Sequence, residues 1–223
     1  MRHLAAASLL LVAVAAGAAG AQTPTADDVL NLPDLRQRSE AGDRGATRTL
    51  AEAYYIGRGG VEQDFGEAAR WFRRLATQGD ARAQTSLGLM YARGLGFERN
   101  FGEARRWWSL AAAQNDPGAQ NNLGILYLLG QGVAADAAQA AFWFGRAAAR
   151  GHIQAQVNLG ELYYDGRGVP KDPVLAYHWM FVAATLGDEH AAKFAKHMER
   201  EFTPEQLEQA RERAKPLLQT LRR

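Results

Sequence analysis

The side chains that could carry out catalysis are few and lack the spacings that catalysis requires. Ser39, Ser86 and Ser109 are the serines that follow residue 21. None lies in Gly-x-Ser-x-Gly or Ser-x-x-Lys, the spacings in which hydrolases activate a serine nucleophile. The chain has no cysteine, which excludes a thiolate nucleophile and any disulfide. We therefore expect no catalytic residue.

Histidines and paired carboxylates offer metal binding or acid–base chemistry. His190 and His197 are seven residues apart, so a helix would place them on one face, but zinc needs further ligands at a recognisable spacing. Asp64 and Glu67 have the spacing of a capping box, in which an N-cap residue and the third helical residue satisfy each other's free N–H groups. We assign these carboxylates to a helix start and expect no metal site and no cofactor.

Glycine turns recur within a longer repeating pattern. Gly166-Arg167-Gly168 lacks the Lys-Ser/Thr ending of a phosphate-binding loop. Copies of about 36 residues begin at Gly42, Gly79, Asn115 and Gly151, with a partial copy from Gly187. The second copy contains the recurring positions Ala83, Leu87, Gly88, Tyr91, Gly94, Gly96, Asn100, Ala104 and Trp107. A unit of this length cannot bury its apolar face alone, so the period of about 36 residues predicts a solenoid of stacked units.

Each copy reads as two helices joined by a glycine turn. An Asp at the start of a copy predicts an N-cap, and the glycine after the tyrosine predicts a left-handed C-cap. The small residue after the leucine, Gly88 in the second copy, should let a second helix approach closely. Trp71 and Phe72, at helical spacing from Ala68, should be buried on that second helix.

The ends of the chain read as caps and an export signal. Residues 1–3 are basic at Arg2 and His3, Leu4–Ala16 is apolar, and Ala19-Gly20-Ala21 resembles a cleavage site. The apolar segment is shorter than the roughly 20 residues that span a membrane, so we expect an exported protein, periplasmic or secreted after cleavage near Ala21. We divide the chain into a signal peptide (1–21), an N-terminal capping helix (22–41), four repeats (42–78, 79–114, 115–150 and 151–186), and a partial repeat with a C-terminal capping helix (187–223).

Prolines are expected to interrupt or end both capping helices. The first reads as Thr25–Ser39, interrupted at Pro33, and the last should begin near Pro204. Pro216 should kink or end that last helix, because proline lacks an N–H and clashes with the preceding turn. The net charge of +2 gives no broad electrostatic reason to bind nucleic acid, and we expect no membrane insertion after signal removal.

The repeated arrangement resembles a known family. Gly-Asp-x-x-Ala-Gln-x-x-Leu-Gly-x-x-Tyr, followed by Gly-x-Gly-Val, Asp, Ala and Trp-Phe, resembles the Sel-one-like repeat, a longer relative of the tetratricopeptide repeat. Gly79–Gln114 and Gly151–Leu186 are clear copies, and the resemblance extends from Gly42 to about Ala192. It implies an all-α fold, a right-handed α/α superhelical solenoid of four helix pairs with capping helices. It also implies an adaptor or scaffold role, with exported bacterial members regulating signalling and envelope processes by binding other proteins.

The resemblance also indicates where a partner would bind. In tetratricopeptide-like solenoids the first helix of each pair lines the concave side, which here would place Leu89, Ile125 and Leu128 on a groove floor. The rim would hold Arg48, Glu52, Tyr55, Asn121, Asn158, Glu161 and Tyr164. An apolar floor with a charged and aromatic rim is typical of a groove for a protein or peptide. Alternatively, these aliphatic side chains pack only against adjacent first helices.

Three other functions stay open. One cysteine-rich branch of exported relatives has been linked to β-lactam binding and hydrolysis, which suggests an envelope hydrolase, β-lactamase-like or cell-wall-active, although this chain has no cysteines. A glycan could occupy the groove in place of a protein. A purely structural envelope protein would capture no specific partner.

Overall fold

A computed structural model describes residues 29–221, and within that range the chain forms α-helices and no strand. The predicted signal peptide (1–21) and the beginning of the predicted N-terminal capping helix lie outside the described residues. No helix between residues 29 and 221 is both long and apolar enough to cross a membrane. The helices are α1 Leu32–Glu40, α2 Arg44–Ile56, α3 Phe65–Thr77, α4 Ala81–Arg93, α5 Phe101–Ala113, α6 Pro117–Leu129, α7 Ala137–Ala148, α8 Ile153–Asp165, α9 Pro173–Thr185, α10 Glu189–Met198 and α11 Pro204–Leu221.

The helices pack as a row of antiparallel pairs. In each pair a first helix (α2, α4, α6 or α8) packs on the second helix that follows it, and that second helix then packs on the next first helix. Helix α1 covers α2, and α10 and α11 both pack on α9. The predicted all-α solenoid of four pairs with capping helices is confirmed.

Polar side chains start the first helices as predicted, with one variation. Asp80 Oδ1 accepts the N–H of Ala83 at 2.9 Å, and Asp43, Asp116 and Asp188 cap α2, α6 and α10 in the same way. In the fourth copy His152 takes this role, since its Nδ1 accepts the N–H of Ala155 at 3.2 Å.

The second helices begin with only half of the predicted capping box. Asp64 Oδ1 accepts the N–H of Glu67 at 3.0 Å, but the return bond from Glu67 was a wrong prediction. The N–H of Asp64 donates instead to the carbonyl oxygen of Tyr54 at 2.9 Å, which closes the turn between the two helices. The Glu67 carboxylate therefore accepts the indole N–H of Trp71 at 3.1 Å. Equivalent backbone bonds join Asn100 to Tyr91, Asp136 to Tyr127 and Asp172 to Tyr163.

Two kinds of glycine bring the helices into close contact. Gly124, in the middle of α6, lies so near Phe144 that a Cβ there would approach the ring to 2.5 Å, as the packing prediction required. Gly168, the second glycine of its turn, lies against the backbone of Ala137 at the start of α7. The turn of the fourth repeat thus rests on the third repeat.

A buried hydrogen bond spans each junction between successive repeats. The Nε2 amide of Gln84, on α4, donates to the carbonyl oxygen of Ala76 at the end of α3, at 3.0 Å. Gln120 and Gln156 make the same bond to Ala112 and Ala148 at 3.2 and 3.1 Å. At least 96% of each glutamine is buried, so the bond gives its side-chain amide a partner in place of water. The same carbonyls also accept a backbone N–H from the following turn.

The capping helices differ from their predicted forms. Residues 29–31 are not helical and α1 begins at Leu32, so Pro33 occupies the first turn, where its missing N–H is harmless. The interruption predicted at Pro33 is therefore wrong. Helix α11 continues through Pro216 to Leu221, so of the two outcomes predicted there, a kink or an early end, the early end is wrong. Ala214 and Leu218 are buried on either side of Pro216, and this packing holds the helix together across the missing bond.

A three-residue network fixes the last helices on α9. The Arg211 guanidinium donates to Glu199 Oε1 at 2.6 Å and to the Tyr177 hydroxyl at 3.0 Å. That hydroxyl donates to the same Glu199 oxygen at 2.7 Å. Burial and the bond to Glu199 raise the pKa of Tyr177 to about 12, so the network keeps its proton throughout the neutral range.

Gly168→Ala should destabilise the protein more than Gly187→Ala. Both glycines have positive φ, +71° and +102°, so each substitution should cost about 1–2 kcal/mol of backbone strain. Only Gly168 faces a neighbouring backbone, and the forced shift should add about 1–3 kcal/mol. Urea unfolding followed by circular dichroism measures both, and equal losses would contradict the contact between repeats.

His152→Asn should reduce the loss of stability on acidification. Burial lowers the pKa of His152, and the nearby Asp116 only partly offsets this. The unfolded chain therefore binds the proton more readily, so this cap contributes stability above the ordinary histidine pKa of about 6.5 and loses it as the pH falls below that value. We expect the wild type to lose about 1 kcal/mol more than the variant between about pH 7 and pH 5. Identical pH profiles of stability for the wild type and His152→Asn would contradict this role of the cap.

Candidate functional site

The three predicted floor residues lie on first helices and are half-buried. Leu89 on α4 packs against the core around Trp108, and Ile125 and Leu128 on α6 pack against the core around Phe144. Each keeps part of its side chain accessible. These residues therefore both support the core and contribute apolar surface to the first-helix face, meaning the exposed side of α2, α4, α6 and α8.

The rim residues of the first repeat are held in place by neighbours. Arg48 Nη2 lies 2.7 Å from Asp80 Oδ2, and Arg58 pairs with Glu52 at 3.0 Å. Burial raises the pKa of Asp80, but the N–H of Ala83 and the Arg48 guanidinium outweigh that effect and keep the pKa below its ordinary value. The aspartate therefore stays ionised and anchors the arginine. The ring of Tyr55 packs edge-on against Phe65 and Phe72, with centroids 5.5 and 6.1 Å away.

Asn121 and Asn158 link two first helices below the surface. Asn121 is only 3% exposed, and its Oδ1 accepts a hydrogen bond from Asn158 Nδ2 at 3.4 Å. Asn158 in turn accepts a bond from Gln154 at 3.3 Å. The Asn121 side chain thus joins α6 to α8 instead of facing solvent.

The rim residues of the fourth repeat meet α10. Glu161 Oε1 lies 3.5 Å from His190 Nε2, and desolvation raises the pKa of Glu161, although about half of its side chain stays exposed. Tyr164 packs edge-on against Phe194 with centroids 5.1 Å apart. Helix α10 therefore forms one boundary of the first-helix face.

Four of the predicted residues line one cleft, which we call the α2–α4 cleft. It has a volume of about 380 Å³ and includes Arg48, Glu52, Tyr55 and Leu89. Ile125 lines a separate cleft of about 270 Å³ between α4 and α6. The other predicted residues, Asn121, Leu128, Asn158, Glu161 and Tyr164, line neither of these clefts.

Three arginines of the α2–α4 cleft were not among the predicted site residues. They are Arg58, Arg82 and Arg93. Arg82 and Arg93 share one face of α4 with Ser86 and Leu89, because these positions are separated by whole turns of a helix. That spacing is readable in the sequence, but a comparison of equivalent positions between repeats misses residues that differ from one copy to the next.

The cleft offers binding groups and no activated nucleophile. Ser86 lines it, yet none of the other lining residues is a histidine or lysine that could activate a hydroxyl. Within residues 29–221 no group of three or more His, Asp or Glu side chains converges to hold a metal. The arrangement provides guanidinium groups around an apolar floor, which is suited to recognition.

Comparisons with known proteins agree with this architecture. The profile of the Sel1 repeat matches residues 46–80, 81–116, 117–152 and 153–188. Comparison with the curated proteins gave no match.

Several solved structures are similar to the chain. A protective antigen of uropathogenic Escherichia coli, described as displaying an SLR fold, is 38% identical with a TM-score of 0.77, and the match covers 84% of this chain and 40% of the antigen. A Sel1 repeat protein from Oxalobacter formigenes is 34% identical with a TM-score of 0.66, over 74% of this chain and 67% of that one. An immunity protein from Pseudomonas aeruginosa, 20% identical with a TM-score of 0.51 over 84% of this chain and 73% of its own, shares the fold. The chain thus spans less than half the length of the antigen.

Proposed function

The chain belongs to the Sel1 repeat family, and we propose that it is an exported scaffold that binds another protein, or a peptide segment of one, on its first-helix face. Sel1 repeat proteins are generally protein-interaction scaffolds. A face that is already formed limits the conformational entropy lost on binding. The mechanism is equilibrium recognition, without a chemical step.

The α2–α4 cleft is the observation that carries this proposal. It combines apolar side chains from two helix pairs with charged groups that neighbours hold in place. Concave sites of this kind, with a mainly apolar lining and a few fixed polar groups, are where proteins bind ligands.

The export signal predicted in residues 1–21 supports a partner in the cell envelope. We propose the exposed domain of an envelope signalling protein as the kind of partner that this scaffold regulates.

Leu89→Asp combined with Leu128→Asp should abolish partner capture while the helices remain intact. Carboxylates at these half-buried positions of the first-helix face would be desolvated by an apolar partner, at a cost of several kcal/mol. A photo-crosslinking amino acid at position 86 in living cells, with mass spectrometry of the adduct, measures capture. Circular dichroism verifies folding.

The matched control is Leu110→Asp combined with Phe142→Asp. These side chains lie on second helices and are 44% and 53% exposed, so the change is chemically similar and lies away from the first-helix face. The control should retain the adduct. A folded Leu89/Leu128 double variant that keeps the adduct would sink the proposal.

Export should remove the first residues of the chain. We expect mass spectrometry of the periplasmic or secreted fraction to find a protein that begins at Gln22. Replacing Ala19 and Ala21 with arginine should block this processing, because signal peptidases require small residues there. An unprocessed wild-type protein confined to the cytoplasm would refute the export.

A further inference from the structure

We infer that the α2–α4 cleft selects an acidic peptide segment in which a large apolar side chain lies between two carboxylates. This inference rests on the proposed function and adds the chemistry of the partner. It follows from the positions of four arginines around the apolar part of the cleft.

The arginines form two groups, one at each end of α4. Arg48 and Arg82 lie at the beginning of α4 beside Asp80, and Arg48 is paired with that aspartate at 2.7 Å. Arg58 and Arg93 lie at the other end near Glu52, which is paired with Arg58 at 3.0 Å. Each group of two arginines thus has one neighbouring carboxylate among the cleft contacts, which leaves positive charge in excess at both ends.

The excess charge resides on Arg82 and Arg93. Neither guanidinium makes an ion pair or a hydrogen bond with any residue in the described range 29–221. Guanidinium groups form strong, often bidentate hydrogen bonds with carboxylates. An acidic segment would therefore find two available partners without displacing the pairs that hold Arg48 and Arg58.

The separation of the two arginines sets the spacing of the acidic residues. Arg82 and Arg93 lie at the two ends of the same face of α4, about 16 Å apart along the helix axis. An extended peptide rises about 3.3 Å per residue and alternate side chains point to the same side, so carboxylates four positions apart, about 13 Å, would reach both flexible guanidinium groups.

The apolar part of the cleft lies between the two groups. Tyr55, Phe72, Leu75 and Leu89 line it, and its volume of about 380 Å³ falls within the range of roughly 300–1,000 Å³ that is typical of ligand sites. A polyanion without apolar side chains, such as a nucleic acid, would leave this surface uncovered. Charge and apolar surface together therefore favour a protein segment.

Selection from a display library of random nine-residue peptides on the purified full-length protein tests this inference. We expect enrichment of Asp or Glu at two positions four apart, with Leu, Phe, Met or Trp between them. An enriched peptide is then synthesised with a fluorophore, and its Kd is measured by anisotropy.

Arg82→Glu and Arg93→Glu should each weaken that peptide roughly tenfold, which is about 1.4 kcal/mol, because each variant loses a charge-assisted hydrogen bond and places a like charge beside the peptide carboxylate. Raising NaCl from about 0.05 M to about 0.5 M should also weaken binding, because salt screens exposed charges. Arg105→Glu, an exposed arginine on α5, makes the same charge change away from the cleft and should leave the Kd unchanged. Arg82→Gln and Arg93→Gln repeat the test without a new charge if a glutamate variant fails to fold.

The outcomes separate this inference from the proposed function. Enriched peptides without the acidic pattern, no enrichment, or equal binding by wild type and the Arg82 and Arg93 variants would each overturn the inference. The in-cell adduct at position 86 would still report whether the first-helix face binds a partner. An adduct that a folded Leu89/Leu128 double variant still forms in cells would instead overturn the proposed function.

Discussion

The hydrogen bond from a buried glutamine to the end of the preceding helix is the constraint on which the rest of the structure depends. Gln84, Gln120 and Gln156 each donate a side-chain hydrogen bond to a carbonyl that also accepts a backbone N–H from the following turn. Leaving the buried amide of such a glutamine unsatisfied costs about 1–3 kcal/mol, so each junction has one favoured geometry. The first helices are consequently held side by side at a fixed spacing, and the α2–α4 cleft is a product of that spacing.

The repeats share one framework but differ at several polar and charged positions. The first copy has Thr47 at the position of the junction glutamine. The Thr47 hydroxyl lies 2.7 Å from that of Ser39 on α1, so the series of glutamine hydrogen bonds stops at the capping helix. The arginines of α4 have no charged counterpart on α6, which carries no charged residue. A regular framework therefore supports surfaces of different character along the first-helix face.

Features set by neighbours in sequence were predictable, and features set by distant backbone were less so. Asp80 as an N-cap and Gly94 as a left-handed C-cap follow from a few adjacent residues. The return bond of Glu67 failed because the carbonyl of Tyr54, on the other helix of the pair, takes the N–H of Asp64. The residues of the site were harder to predict than the helix caps. Arg82 lines the cleft only because α2 lies alongside α4. The hydrogen bond between Asn121 and Asn158 depends on how the repeats stack. The groove itself stays a prediction.

The network of Tyr177, Glu199 and Arg211 has a consequence beyond holding two helices in place. A stack of identical units ends in a surface that matches its own interior, so an uncovered last pair would recruit further molecules and grow into fibres. Helices α10 and α11 cover α9 and present charged side chains outward. By covering α9, these two helices keep the last pair from stacking on the first pair of another molecule.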